Sequence, residues 1–435
     1  MPAHCRRISK GKLRMAFETI SVIGLGYIGL PTAAMFAAHG KKVIGVDVNQ
    51  HAVDTINRGE IHIVEPDLDA LVAQGVAKGR LRAVTKPESA DAFLIAVPTP
   101  FENDPSASVP KPDLKYIQAA CAAIAPVLKK GDLIILESTS PVGATEKVVE
   151  WLAAAREDLS FPSENSIDSD IYVAHCPERV LPGHVVRELI ENDRVIGGIT
   201  PACSAKAVEL YKAFVKGDCV ITNARTAEMA KLTENASRDV SIAFANELSI
   251  ICDETDIDVW ELIALANRHP RVNILQPGPG VGGHCIAVDP WFIVSRSPDS
   301  AKLIKTAREV NDSKPAWVIK KVKLAVADYL AANATMSLSD MKIACYGLAF
   351  KPDIDDLRES PALNIARELT TLYGDSLVCV EPNVEASVDV KGVKLTRFDD
   401  AYNTAQVHVL LVDHKAFKEA KKPQGFIVDT KGIWK

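Results

Sequence analysis

One stretch, Gly24-Leu-Gly26-Tyr-Ile-Gly29, constrains this chain more than any other, because of what surrounds it. Residues 20–23 before it form a short apolar run that reads as a strand. Residues 31–39 after it read as a buried helix. Residues 43–47 read as a second strand, ending in Asp47, 23 residues beyond Gly24. Strand, glycine turn, helix, strand and acid, in that order, describe a dinucleotide-binding βαβ unit. Gly24, Gly26 and Gly29 then let backbone approach a pyrophosphate at a helix N-terminus. Asp47 accepts from the ribose hydroxyls and repels a 2′-phosphate, which favours NAD over NADP.

The same region invites another reading. Arg6, Arg7, Lys10, Lys12 and Arg14 precede a nearly uncharged run over residues 19–38, the outline of a secretory signal or membrane anchor. Three glycines would burden a membrane helix, and no small-residue cleavage site precedes Lys41. The nucleotide-binding reading therefore prevails, with no membrane association expected. Residues 1–14 have no structural task in it and are expected to be a disordered, dispensable leader, with Met15 a natural start.

Lys plus Arg number 50 and Asp plus Glu 56, so the formal charge is −6 and nucleic acid is not an expected partner. Any polyanionic ligand needs a local basic cluster. The nine cysteines are scattered without a CxxC pair, which argues against a zinc site or a disulfide framework and fits a reducing compartment. No metal is expected.

Further strands are expected at 92–97, 133–137, 171–175, 194–198 and 219–222, with helices such as 114–128 and 144–155 between them. That alternation predicts an α/β fold with a parallel sheet covered on both faces. A helical middle follows: 225–255, 259–266 and 301–332, the last kinked at Pro315. A second, smaller βα unit begins after 337–340, with strands at 342–346, 376–380, 407–412 and 426–429 and a helix at 360–373. It lacks GxGxxG. The expected division is a leader to 14, a Rossmann domain 15–224, a helical domain 225–335 and a second Rossmann-like domain 336–435.

The most unusual segment is Pro277-Gly-Pro-Gly-Val-Gly-Gly-His-Cys-Ile-Ala-Val-Asp289. A glycine run exposes backbone N–H groups to a ligand. Cys285 follows it, with His284 before and Asp289 four residues on. An isolated cysteine is ordinarily a small buried hydrophobe; this position points instead to a nucleophilic thiolate. Lys231, Asn235 and Arg238 share one helix face, although Lys231 could simply pair with Glu228 or Glu234. Arg268-His269-Pro-Arg271 supplies positive charge for a diphosphate.

Together the segments GLGYIGLP, VPTP, ESTSPVG, CPERVLPG, KLTEN, GPGVGGHCIAVDPWF and GLAFKPDIDDLRESP resemble, in order and spacing, the UDP-glucose/GDP-mannose dehydrogenase family, over essentially all of residues 19–435. The His-Cys-Ile and Val-Asp-Pro variant resembles its N-acetylhexosamine branch. The resemblance implies two Rossmann-like domains joined by a long central helix that builds a homodimer. It implies a four-electron oxidation of a UDP-sugar at C6, supplying surface polysaccharide synthesis in the cytoplasm. UDP-N-acetyl-D-mannosamine is the first expectation, with UDP-N-acetylglucosamine or UDP-glucose as alternatives. By the same resemblance Cys285 is the nucleophile, Lys231 the oxyanion donor, Asn235 its amide partner and Asp289 the acid near the hydrolytic water. Thr139 and Glu178 surround the first oxidation. Tyr27, Ile28, Thr99, Thr145 and Arg358 join Gly24, Gly26, Gly29 and Asp47 at the cofactor. Arg179, Val180, Lys231, Asn235, Arg238, His269, Arg271, Gly282, Lys351 and Lys431 hold the substrate. A two-electron hydroxyacid dehydrogenase would need neither Cys285 nor a second α/β domain. A non-catalytic sugar-nucleotide sensor would be expected to have lost Cys285, Lys231 or Asp289.

Overall fold

The computed structural model describes residues 17–434, except 105, 164–167, 182, 284 and 386–388. The leader and His284 thus lie outside the described residues. Two compact units result, the first ending at Leu232 and the second beginning at Thr233.

In the first unit β1 (Thr19–Ile23), α1 (Gly29–Ala38), β2 (Lys42–Val46), α2 (Gln50–Asn57), α3 (Leu68–Ala77) and β3 (Leu81–Val84) come first. Then follow β4 (Ala92–Ile95), α4 (Lys115–Ile124), β5 (Leu133–Leu136), α5 (Ala144–Ala155) and β6 (Tyr172–His175). Last are α6 (Val185–Glu191), β7 (Arg194–Gly198), α7 (Pro201–Tyr211) and β8 (Cys219–Asn223). The strands make one eight-stranded sheet in the order 3-2-1-4-5-6-7-8. Its inner strands are apolar on both faces. Leu133 and Ile135 enter the core under α1, whereas Ile134 and Leu136 enter the one under α4 and α5. A strand covered on both sides has no polar face to show, so it reads as an unbroken hydrophobic run.

The all-parallel expectation needs one correction, since β7 runs antiparallel to β6. Between them lie only a loop and the seven-residue α6, and antiparallel neighbours need no full crossover. Helices α2 and α3 and strand β3 were not expected. Leu81-Arg-Ala-Val is four residues at the sheet edge, buried and exposed by turns.

Helix α8 (Ala224–Glu254) leaves the first unit and α9 (Val259–Ala266) follows. The second unit continues with α10 (Asp289–Arg296), α11 (Lys302–Ala332), β9 (Ile343–Tyr346), α12 (Pro361–Tyr373) and β10 (Leu377–Val380). It ends with α13 (Phe398–Thr404), β11 (Val407–Leu410), α14 (Lys415–Lys418) and β12 (Phe426–Asp429). These strands form a parallel sheet in the order 10-9-11-12. Val318, Ile319, Val322 and Val326 of α11 share a core with β9 and α12. Pro315 sits inside α11 without ending it.

Candidate active site

In the first unit the strand order reverses between β1 and β4, the switch point where open α/β sheets bind ligands. The glycine turn leaves β1 there. Gly24 has φ of +92°, donates to the Val46 carbonyl at 2.8 Å, and a Cβ on it would stand 2.5 Å from the Ala96 oxygen. A Cβ on Gly29 would stand 1.8 Å from the Gly24 oxygen, so the helix can start this close only without one. Around Gly26 there is open space. Tyr27 is exposed, Ile28 is the N-cap of α1, and no side chain caps that helix. In its first turn Pro31 has no N–H and the Leu30 N–H donates to the Gly26 carbonyl at 3.1 Å, so what the turn offers an anion is the Gly29 N–H and the helix dipole.

Asp47 follows β2. Its Oδ2 accepts from the Leu25 N–H and its Oδ1 from the Asn49 N–H, both at 2.9 Å. The carboxylate is thereby fixed beside the turn, half-buried. The Thr99 hydroxyl, just beyond β4, is buried with no partner among the described residues. Bare backbone, an uncapped helix, a fixed acid and an orphaned hydroxyl fit a dinucleotide.

The other sequence-named residues of this unit divide. Thr139 is half-buried after β5. Thr145 is fully buried; its hydroxyl and N–H donate to Glu228 Oε1 at 2.6 and 2.7 Å, and the Gly143 N–H donates to Oε2 at 2.7 Å. Glu228 thus caps α5, and Lys231 makes no ion pair with it. Glu178 is buried, its Oε2 lying 3.0 Å from Arg194 Nη2 while its Oε1 accepts from the Arg179 N–H at 2.8 Å. Arg179 donates to the Asp193 carbonyl at 3.2 Å, and Val180 packs against the core.

In the second unit Asn235 Nδ2 donates to Asp289 Oδ2 at 2.6 Å. Asp289 is buried and opens α10. Its N–H donates to the Cys285 carbonyl at 2.9 Å, as does that of Val288 at 3.0 Å, so Cys285 sits in a turn leading into the helix. Cys285 is exposed, while Cys252, Cys345 and Cys379 are buried.

The glycine run before Cys285 is held from behind. A Cβ on Gly282 would lie 2.4 Å from the Glu359 oxygen and 2.6 Å from Pro361. A Cβ on Gly280, at φ +144°, would lie 3.0 Å from Pro361 and 3.2 Å from Pro315. The Gly278 N–H donates to Asn246 Oδ1 at 2.9 Å. Asn246 in turn donates to Asn311 Oδ1 at 2.9 Å, and Asn311 to Asp239 Oδ1 at 2.8 Å. Arg308, 1% exposed, closes this network on Asp239 at 2.6 Å. Asn246 and Asp239 escaped the sequence reading. Their signal was two polar residues seven apart on one long helix, which looks the same on a solvated face.

Lys431 Nζ lies 3.6 Å from where a Cβ on Gly278 would stand, and 3.4 Å from Asp413. Lys351 is exposed. Arg358 pairs with Asp356, Nη2 to Oδ2 at 2.7 Å. Arg238, His269 and Arg271 are exposed. The structure therefore joins Asn235, Asp289, Cys285, Gly282 and Lys431 through loop 277–289, but does not draw His269 or Arg271 into that network.

Models of the UDP-glucose/GDP-mannose dehydrogenase family match three segments. Its NAD binding domain matches residues 18–215, its central domain 225–313 and its UDP binding domain 344–435. The chain is 65% identical over 426 residues to a UDP-N-acetyl-D-mannosamine dehydrogenase of Yersinia pestis, covering 97% of this chain and 100% of that one. It is 60% identical over 422 residues to an NDP-N-acetyl-D-galactosaminuronic acid dehydrogenase of Ralstonia nicotianae, covering 96% of each. Among solved structures it resembles a UDP-D-ManNAc dehydrogenase of Pyrococcus horikoshii, with a TM-score of 0.83, 37% identity and 96% of each chain covered.

Proposed function

We propose, for a chain that belongs to the UDP-glucose/GDP-mannose dehydrogenase family, that its substrate is UDP-N-acetyl-D-mannosamine. The C6 alcohol becomes the carboxylate of UDP-N-acetyl-D-mannosaminuronate. The observation that carries this reading is near-full-length identity of about two thirds to a dehydrogenase of that name, supported by the exposed Cys285 beside the Asn235–Asp289 pair.

The bound NAD of each round supplies a hydride acceptor, and two are consumed per sugar. Asp47, pinned by the Leu25 and Asn49 N–H groups, orients the adenosine ribose, and the open backbone at Gly26 receives the pyrophosphate. Thr139 and Glu178 act around the first oxidation. The Cys285 thiolate then attacks the C6 aldehyde to give a thiohemiacetal, which keeps a reactive aldehyde from escaping. The turn sets Cys285 just ahead of the N-terminus of α10, whose dipole favours negative charge. Lys231, which makes no ion pair among the described residues, donates to the developing oxyanion. The second oxidation leaves a thioester. Asp289, held by Asn235, positions the water that adds to it, releasing the carboxylate and the thiol. Arg179, Val180, Arg238, Gly282, Lys351 and Lys431 contribute to the UDP-sugar site and Arg358 to the cofactor. Loop 277–289 is the part supported by contacts to its neighbours.

The domain division 15–224, 225–335 and 336–435 belongs to the same proposal. So does a homodimer, supported by Phe244 and Ile251, both exposed and seven residues apart on α8. Among the described residues no helix is long and apolar enough to cross a membrane. Work in the cytoplasm, supplying surface polysaccharide precursors, is the location that fits reduced cysteines and a free nucleotide cofactor.

The Ralstonia relative favours a second reading, a galacto-configured N-acetylhexosamine. Turnover of the UDP-linked manno, gluco and galacto N-acetyl sugars, side by side, decides between them. Two NADH per sugar, fastest with the manno epimer, is the expected result. One NADH per sugar, or preference for another epimer, would overturn the assignment.

A further inference from the structure

Behind Glu178 lies a closed group of side chains that no step above uses. Glu137 follows β5, Arg194 opens β7 and Tyr211 closes α7. Arg194 is 4% exposed and Glu137 is 1% exposed. Arg194 Nη2 is 3.0 Å from Glu178 Oε2, and its Nη1 is 3.8 Å from Glu137 Oε1. The Tyr211 hydroxyl donates to Glu137 Oε1 at 2.9 Å, and its ring centroid lies 4.7 Å from the guanidinium carbon. Cys176 Sγ is 3.9 Å from Arg194 Nη1, and the Thr32 hydroxyl of α1 is near Glu137 without hydrogen-bond geometry. Glu137 Oε2 has no hydrogen-bond partner among the described residues, and Arg194 Nη2 and Glu178 Oε2 meet as an ion pair without hydrogen-bond geometry, so charge rather than a directed bond joins them.

One buried cation therefore faces two carboxylates. With both ionised, the trio carries a net negative charge where water cannot reach, which is costly. A proton on one carboxylate removes that charge. Glu137 is the carboxylate set deeper and farther from the guanidinium. Once it is neutral, Arg194 is committed to Glu178. Once it ionises, Arg194 is shared between two anions, and the hold on Glu178 slackens.

We propose that Glu137 and Arg194 are positioning residues for Glu178, with the charge on Glu137 deciding whether Arg194 holds Glu178 alone. The proposal rests on the reading that Glu178 faces the reacting sugar. Burial above all, then the Glu178 charge, pushes the Glu137 carboxyl up to about 7, against the pull of Arg194. The arrangement thus changes state in the neutral range.

The test is kcat as a function of pH, from about 5.5 to 9.5, on the full chain with saturating NAD and UDP-N-acetyl-D-mannosamine. Wild type, Glu137→Gln, Tyr211→Phe and Glu178→Gln are compared, each with a melting curve. In Glu137→Gln the neutral-range inflection should vanish, changing the ratio of kcat at the two ends about fivefold or more, with KM for NAD unchanged. A merely structural glutamate would lower kcat evenly across the range, and a profile of unchanged shape overturns the proposal. Tyr211→Phe removes a donor to the Glu137 carboxylate and should move the inflection to higher pH. It serves also if Glu137→Gln does not fold, and an unmoved inflection there overturns the proposal equally. Glu178→Gln separates the premise. Wild-type turnover in that variant overturns the role of Glu178 itself, whereas loss of turnover there beside an unmoved inflection in Glu137→Gln overturns only the positioning.

Discussion

The two sheets solve the same junction with opposite emphasis. In the first unit Gly24 ends β1, donates to the Val46 carbonyl at 2.8 Å, and Asp47 after β2 accepts from the Leu25 N–H at 2.9 Å. In the second, Gly347 ends β9 at φ +86° and donates to the Val380 carbonyl at 2.9 Å. Glu381 after β10 accepts from the Leu348 and Ala349 N–H groups at 2.7 and 3.0 Å. Glycine, backbone clasp and acid recur, although the second unit carries no GxGxxG. What differs is how far the acid is used internally. Asp47 is half-buried and satisfies two backbone groups. Glu381 is buried, and also meets His414 Nε2 at 3.1 Å and the Asn383 N–H at 3.1 Å. An acid at a strand end is thus a structural clasp in both units, and in the first it stays partly exposed.

Truncating each acid tests that contrast most harshly. Glu381→Ala strands two buried N–H groups and a histidine and should cost about 3 kcal/mol or more, whereas Asp47→Ala should cost about 1 kcal/mol. Denaturant melts of both variants check this, and equal losses would break the comparison. Activity should reverse the ranking for Asp47. With Asp47→Asn the like-charge contact to a 2′-phosphate goes, and the NADP to NAD ratio of kcat/KM should rise about tenfold or more. An unchanged ratio would remove Asp47 from cofactor choice.

The glycines sharpen the same point inside one turn. Gly24→Ala meets the Ala96 oxygen in a left-handed backbone and should cost about 2 kcal/mol, but Gly26→Ala faces open space and should cost under about 1 kcal/mol. The Gly26 variant should nonetheless raise KM for NAD, because its Cβ occupies the approach to the backbone. Thermal melts and NAD titrations together decide it.

Smaller still are two opposed pH slopes. Glu137 in the first unit is raised to about 7, chiefly by burial. Its stabilising contribution is complete below the ordinary carboxylate range and is lost as pH climbs to about 7. Lys314 in the second unit is lowered to about 7, again by burial, with Asp253 opposing. There the loss runs the other way, accruing as pH falls from the ordinary lysine range to about 7. Melting temperature against pH should lose its acid-side slope in Glu137→Gln and its alkaline-side slope in Lys314→Met. A slope that survives its substitution contradicts the burial assigned to that group.

The sequence made the first junction legible because GxGxxG is tied to a fixed turn length. Helices 144–155 and 259–266 and strands 194–198 and 426–429 could be read to the residue, since each is a clean periodic run between turn formers. The second junction was hidden because its clasp depends on Gly347 and Glu381, which are adjacent only after folding. Strand β3 is no shorter than β4, but the exposed Arg82 breaks the apolar run by which the inner strands were read. At loop 277–289, composition alone singled out Cys285 and Asp289. It could not supply the Asn246 clasp on Gly278 or the Arg308–Asp239 pair behind it, because those contacts join residues dozens of positions apart. Nor could it separate Lys231 from Glu228. That took the finding that Glu228 is spent on capping α5.

The central claim is that Cys285 carries the sugar between two oxidations. Single-turnover NADH absorbance on Cys285→Ser, with a melting curve and binding titrations on the same sample, tests it most directly. The account predicts a folded protein that binds UDP-sugar and NAD normally, loses turnover by orders of magnitude, and releases about one NADH per site before stalling. Turnover at the wild-type rate in the folded variant would contradict the covalent route.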